Sequence, residues 1–362
     1  MKILVFTSRY TATRDIIIED FGRQVRLFEQ LRKFGHKIDF FCVDYRKYEY
    51  RNVKLHGIDI FVRPFKPIRF FSLFSLLKKV IKEGNYDLII ATSDPLWGIF
   101  GYYYARKYGI KFLYDLHDNY EVYQSYKLPF FSLIDKIIMK KADIITTVSS
   151  TLKKKINNLR RKKVFVVENG ADLDLFKPKN KIKSRKKLNL PLNAKIIAYS
   201  GSIQKMQGIN FLTEAFEVLK KDIDNLYLVL AGRKRVKSER LNLDGKNIIW
   251  LKELDQKGVA DLINATDVAV VPNTTNNFTK YCFPYKIIEY MACNSKIVST
   301  NVGDIGNILQ KDSLCKPGNV NDLVEKIKLK LNSTKKTNYR KIARRYSWHN
   351  IAKKLDKIIR NN

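Results

Sequence analysis

His117 stands in "YDLHDNYE" (114–121), between Asp115 and Asp118, where an apolar run ends. A histidine at the end of a parallel strand can contact substrate through its ring or its backbone, with Asp115 or Asp118 orienting it. It can equally be a loop histidine bonded to a neighbour. A second group of reactive types lies in "YCFPYKIIEYMACNSKIVST" (281–300). Pro284 suits a first helical position, because its fixed φ fits and its missing N–H has no helical partner there. Loop, helix N-terminus and strand in that order make a seat for an anion. Lys286 and Glu289 are three residues apart and can simply pair, worth about 0.2–0.5 kcal/mol. Alternatively Lys286 lies beside a diphosphate and Glu289 accepts from the hydroxyls of a ribose.

Two further loops end apolar runs. "AYSGSIQKMQGINF" (198–211) reads as strand, loop and helix, with Gly201 and Gly208 bracketing N–H groups that can face an anion. It is neither G-x-G-x-x-G nor a P-loop. "LAGRKRVK" (230–237) carries Gly232 and Arg233 at the same kind of strand end. Arginine suits bidentate phosphate contact, but Arg233, Lys234 and Arg235 can also be a solvated run.

These groups need a scaffold, and the pattern supplies two. "KILVFTS", "KIDFFCVD", "IDIFVR", "DLIIATS", "KFLYDL", "DIITTVS" and "KVFVVEN" are short apolar runs, with helical segments such as 20–34 and 95–108 between them. That alternation predicts a parallel sheet covered on both faces. The basic stretch 177–193 reads as a linker. A second series follows: "KIIAYSGS", "LYLVLAG", "NIIWL", "DVAVVP" and "KIVST". Its first helix places Ile209, Leu212, Phe216 and Leu219 on one face. The expected organisation is a first domain over 1–176, the linker 177–193, a second domain over 194–341, and a C-terminal helix in 342–362. Both are doubly wound, so the strand-end loops are expected to face an inter-domain cleft.

The 362 residues are too many for one ordinary domain. Cys42, Cys282, Cys293 and Cys315 show no metal-ligand pairing and read as reduced intracellular thiols. The apolar run in "MKILVFTSRY" is too short for a signal peptide, and no uncharged run approaches a membrane span of about 18 residues. A cytoplasmic protein is expected. Net charge is +34, and residues 151–200 hold 15 Lys and Arg against 3 Asp and Glu. Such a field favours a polyanionic partner, although biased composition alone can produce it. The 151–200 stretch lacks clustered aromatics for base stacking, so no nucleic acid is expected.

In order along the chain stand "ITTVSSTLKK", "VVENGADLDLFKP", "YSGSIQKMQGINFLTEAFEVL", "LVLAG", "ATDVAVVP", "FPYKIIEYMACNSKIVST" and "YSWHNIAKKL". Together they resemble family 4 of the retaining glycosyltransferases (glycosyl transferases group 1). The resemblance implies the GT-B fold: two Rossmann-like α/β domains with a cleft between them and a C-terminal helix crossing back from Trp348. By the same resemblance, Gly22 belongs to a first loop near the donor phosphates and the acceptor. His117 contacts the transferred sugar, and Glu289 binds the nucleotide ribose. Gly201 and Gly232 are strand-end glycines of the donor domain, and Leu254 falls where the base is held through the backbone.

The chain departs from the family pattern at three positions. Tyr281 replaces the first Glu of E-x7-E, and Ser202 and Gln207 stand where a phosphate-binding Arg and Lys are usual. Lys205 or Arg233 is positioned to substitute. The implied activity is transfer of a sugar with retention from a UDP- or GDP-linked donor to a glycan or lipid-linked acceptor in surface polysaccharide or glycolipid synthesis. No metal is expected to be obligatory, and no other cofactor. The alternative is a catalytically silent GT-B subunit that binds nucleotide or sugar and supports a partner. The segment 63–84 carries an apolar stripe of Phe70, Leu73, Phe74, Leu77 and Ile81, flanked by Arg63, Lys66, Arg69, Lys78, Lys79 and Lys82. It reads either as a basic amphipathic helix on an anionic membrane, peripheral at the inner face, or as an ordinary domain helix.

Overall fold

A computed structural model describes residues 1–11, 14–20, 22–66, 70–234, 241, 243 and 245–362, with the backbone alone at 70 and 71. Arg69 and Arg235, weighed above for their charge, lie outside the described residues, and so does the side chain of Phe70. The chain divides into two compact units, residues 1–169 with 348–362, and residues 170–347.

The first unit is built on an eight-stranded sheet. Its order is Val164–Val166, Ile144–Thr147, Lys111–Leu116, Leu88–Ala91, Lys2–Ser8, Lys37–Asp44, Ile58–Pro64 and Arg51–Leu55. Val5 of the central strand pairs with Phe40 on one side and Ile90 on the other, both in parallel register. The strand is buried on both faces, which explains its unbroken apolar run. Only the edge strand Arg51–Leu55 is antiparallel. It is half-exposed and has two apolar residues in five, so no periodic signal announces it. Helix Pro95–Tyr108 begins where its sequence requires: Pro95 is the first helical residue, and the Asp94 carboxylate accepts from the Leu96 N–H at 2.9 Å. The C-terminal helix Trp348–Asn361 belongs to this unit, where Asp356 lies 2.7 Å from His36 Nε2 and Lys354 pairs with Glu168 at 2.8 Å.

The second unit has a six-stranded sheet in the order Ile248–Trp250, Leu226–Ala231, Lys195–Ser200, Val268–Val271, Ile297–Thr300 and Leu314–Cys315. Helix Ile209–Asp222 turns Ile209, Leu212, Phe216 and Leu219 into its core, as their spacing suggests.

Three expectations change, and one open alternative is decided. Residues 177–193 are not a bare linker: they contain helix Lys181–Lys187, whose buried Arg185 donates to the carbonyls of Ala265, Leu192 and Ala194 and pairs with Asp267. Residues 170–176 fall in the second unit rather than the first, where the Arg340 guanidinium donates to the carbonyls of Leu173 and Phe176. Pro284 is the N-cap of helix Tyr285–Ala292, not its first residue, since its ψ of 125° is extended. Lastly, helix Phe70–Gly84 buries Leu73, Leu77 and Ile81 in the first unit's core, and the Phe74 ring packs on Phe100. The described part of its apolar stripe, Leu73, Phe74, Leu77 and Ile81, is thus a core face. Among the described residues no helix is long and apolar enough to cross a membrane.

Candidate active site

His117 follows strand Lys111–Leu116 directly and is buried. Its Nδ1 lies 3.3 Å from the Ser93 backbone nitrogen, 3.3 Å from Thr92 Oγ1 and 3.0 Å from the Tyr120 hydroxyl. A backbone N–H can only donate, so Nδ1 accepts and the ring proton belongs on Nε2. Burial holds the ring's pKa below its ordinary value, which keeps it neutral at neutral pH. Nε2 has no hydrogen-bond partner among the described residues. The Asp118 carboxylate stands off at 3.6 Å and accepts instead from the Tyr123 hydroxyl at 3.0 Å. The ring therefore presents a buried donor that no described residue receives.

Asp115 does not orient His117 directly, contrary to one reading of the sequence. Arg23 grips it with two hydrogen bonds of 3.0 and 2.8 Å, while Thr146 and Thr92 donate at 2.7 and 3.1 Å. Burial pushes this carboxyl up, but the Arg23 guanidinium more than offsets it and the pKa falls below the usual carboxylate value. Arg23 is the first residue of helix Arg23–Arg32, and its second amine reaches the Glu168 carbonyl at 2.8 Å. Gly22 caps that helix at φ 95°, a conformation open to glycine at little cost. Helix start and sheet end are thus locked together beneath His117. Sequence reading missed Arg23, Thr92 and Ser93, because each is remote from the motif it supports, and Tyr120, which lies within the motif but carries no signal that its hydroxyl turns back to Nδ1.

In the second unit, Gly201 follows strand Lys195–Ser200 and Gly232 follows strand Leu226–Ala231. A Cβ on Gly232 would lie 1.7 Å from the Gly201 carbonyl oxygen, so the two strand ends meet with no room for a side chain. A Cβ on Gly201 would come within 2.8 Å of Lys286 Nζ. Lys286 reaches this point from the first turn of helix Tyr285–Ala292. Its ammonium donates to the Tyr199 hydroxyl at 2.9 Å and to Gln207 Oε1 at 3.3 Å, and it lies over the Tyr199 ring. The Tyr199 hydroxyl in turn donates a hydrogen bond to the Ser202 carbonyl at 2.9 Å. An ammonium has three donors, and among the described residues only these two are used. Desolvation lowers its pKa to about 8.

The remaining candidates fall around the same loop ends. Ser202 and Lys205 are in the loop between Gly201 and Gly208, with Lys205 opening the single turn Lys205–Gln207. Arg233 is exposed and pairs with Glu253 at 2.8 Å, so its guanidinium is already engaged. Leu254 is half-buried, just before Asp255, whose carboxylate caps helix Gln256–Ala265. Glu289 sits one turn along from Lys286, half-buried, with neighbouring Tyr290 donating or accepting at Ser200.

Residues 180–347 match the model for glycosyl transferases group 1, and residues 24–175 match the model for glycosyltransferase family 4. Between them the two matches take in most of both units. The chain belongs to the glycosyltransferases of the group 1, family 4 type. It is accordingly an enzyme of the glycosyl-transferring class, EC 2.4. An uncharacterised glycosyltransferase of Methanocaldococcus jannaschii is 25% identical over 349 residues, 91% of this chain and 92% of its own. TuaC of Bacillus subtilis, described as a teichuronic acid biosynthesis glycosyltransferase, is 27% identical over 60% of this chain and 54% of its own. Among solved structures, sucrose-phosphate synthase from Thermosynechococcus elongatus superposes with a TM-score of 0.78 at 19% identity, covering 100% of this chain and 98% of that one. Anabaena HepE in complex with UDP also gives 0.78, at 18% identity and full coverage of both chains. The glycosyltransferase's fold is GT-B, two parallel-sheet α/β domains.

Proposed function

We propose that this glycosyltransferase moves a sugar, with retention, from a UDP- or GDP-linked donor to a glycan or lipid-linked acceptor in surface polysaccharide or glycolipid synthesis. The observation that carries the reading is the Lys286 ammonium beside Gly201, partly desolvated and with one donor to spare. A diphosphate leaving group needs such a cation, and Lys286 supplies the charge that Ser202 and Gln207 do not. The HepE structures are described as complexes with UDP and UDP-glucose, and TuaC as a teichuronic acid biosynthesis glycosyltransferase; these support the donor and acceptor classes.

In this reading Glu289 accepts from the ribose hydroxyls, Leu254 holds the base through its backbone, and the Gly201, Ser202, Lys205 and Gly232 loop ends surround the diphosphate. Gly22 lies near the donor phosphates, and Arg233, paired with Glu253, serves as a peripheral cation. His117 donates from Nε2–H to an oxygen of the transferred sugar. The bond from the anomeric carbon to the diphosphate breaks, the acceptor oxygen bonds to that carbon on the same face, and the acceptor's proton passes to the departing phosphate oxygen. The protein's work is preorganised electrostatics, with donors fixed where charge develops. No metal is assigned to the reaction.

The test is donor turnover. The enzyme is incubated with UDP- and GDP-sugars, with and without EDTA, and nucleoside diphosphate release is followed; anomeric configuration is read by proton NMR. Release from one donor, insensitive to EDTA and with retained configuration, supports the reading. Inverted product, or activity lost to EDTA and restored by Mg²⁺, contradicts it.

A further inference from the structure

Helix Phe70–Gly84 buries Leu73, Leu77 and Ile81, but another helix of the first unit does the opposite. Phe131–Lys141 packs Phe131, Asp135, Ile138 and Met139 inward, and Asp135 is held below by the Tyr114 and Tyr126 hydroxyls. At 100° per residue, Leu133, Ile134 and Ile137 fall together on the outward side, and Phe130 precedes them as the residue before the helix. All four are exposed: Phe130 keeps 77% of its surface and Leu133 58%. Leu128, from the approach to the helix, is exposed as well. Scattered surface apolar residues are ordinary, but five large ones on one short stretch are a patch, and patches of this kind mark interaction surfaces.

The charge around the patch selects its partner. Lys127, Lys140 and Lys141 are exposed and Lys136 half-exposed on the same stretch. Its one acidic residue, Asp135, is buried. Nearby Glu121 is engaged with Lys155. An apolar face flanked by lysines, on a chain of net charge +34, complements a surface that is apolar inside and anionic at its rim. We propose that the face formed by Leu128, Phe130, Leu133, Ile134 and Ile137 docks on a bilayer leaflet carrying anionic lipid. Phe130 and Leu133 enter the headgroup and acyl boundary, and Lys136, Lys140 and Lys141 meet the lipid phosphates. This rests on the proposed function only in giving a lipid-linked acceptor its place; the surface is read without donor.

The experiment is co-sedimentation of the full chain with vesicles of phosphatidylcholine alone and of equal phosphatidylcholine and phosphatidylglycerol. It compares wild type, Leu133→Glu/Ile137→Glu and Lys136→Glu/Lys140→Glu. These side chains are solvent-exposed, and circular dichroism confirms that the variants fold. Expected is binding to anionic vesicles only, at least tenfold weaker in each variant, with donor hydrolysis in solution unchanged. Phe130→Trp should shift its emission to the blue on the same vesicles. Wild-type binding by the Leu133→Glu/Ile137→Glu variant overturns the proposal in favour of diffuse charge. No vesicle binding by wild type, with self-association lost in that variant, overturns it in favour of a second copy of this chain. Loss of donor hydrolysis with vesicle binding intact touches the functional reading alone.

Discussion

Ser93 and His117 are joined by a hydrogen bond whose direction is fixed, since the Ser93 amide can only donate to Nδ1 at 3.3 Å. The neutral ring must then offer Nε2–H. His117→Ala is expected to lower kcat/KM by about 10²–10³-fold, the usual cost of a preorganised donor. Tyr120→Phe removes one of the groups around Nδ1 and should cost only about three- to tenfold, in keeping with a single neutral hydrogen bond. Nitrogen NMR of the His117 ring should report the Nε2–H tautomer at neutral pH. The Nδ1–H tautomer would point to a base at this position instead of a donor.

Lys286 gives the pH dependence its sign. Its folded pKa is lowered to about 8 against an unfolded value near 10.4, so the unfolded chain holds the proton more tightly. Stability therefore carries the full penalty below about pH 8 and rises as pH climbs from about 8 to about 10.4. Binding of a nucleoside diphosphate runs the other way, falling above about pH 8 as the cation is lost. Lys286→Met should raise the Tm of the ligand-free enzyme by about 2–4 °C for each kcal/mol relieved, while weakening diphosphate binding at least tenfold. Calorimetry at pH 7 and pH 9.5 checks both. A variant that is less stable and binds normally would remove Lys286 from the site.

Arg23 and Asp115 form a buried pair with side chains almost fully covered. Arg23→Gln leaves the carboxylate without its cation and should destabilise the enzyme by about 3–5 kcal/mol, read from the urea midpoint. Because the Asp115 pKa is lowered on folding, its contribution is complete above about pH 4 and is lost as pH falls below that. A midpoint within about 0.5 kcal/mol of wild type at pH 7 would mean that the pair is energetically idle.

Much of this scaffold was legible in the chain. Seven apolar runs in the first half and five in the second became strands, because a parallel sheet covered on both faces leaves an unbroken apolar signature that side-chain alternation would blur. Gly201 and Gly232 stand directly after their strands, where the sequence placed them. What could not be read was support from a distance. Asp115 takes its cation from Arg23, 92 residues earlier, and Lys286 takes its acceptor from Gln207, 79 residues earlier; only the folded chain brings them into register. The stripe on 70–84 left two readings open for a different reason. A core face and a membrane face have the same period, and the sequence does not say which side the sheet will claim.

Gly232 tests the strand-end geometry. Its φ of 147° and the 1.7 Å approach to the Gly201 carbonyl leave no room for a Cβ. Gly232→Ala should lower stability by about 2 kcal/mol or more, since backbone must move, and should weaken nucleotide binding with it. Wild-type thermal stability in this variant would show that the two loops part easily.

The most direct measurement is thermal unfolding of wild type and Glu289→Ala with UDP, GDP, ADP and the corresponding nucleotide-sugars. A ligand bound only to the folded state adds about 2.7 kcal/mol of stability at a hundredfold excess over Kd. Stabilisation of wild type by one nucleotide, absent from Glu289→Ala, is the expected result, and it would name the base. No response to any nucleotide, or an equal response in the variant, would contradict a donor site at Lys286 and Glu289.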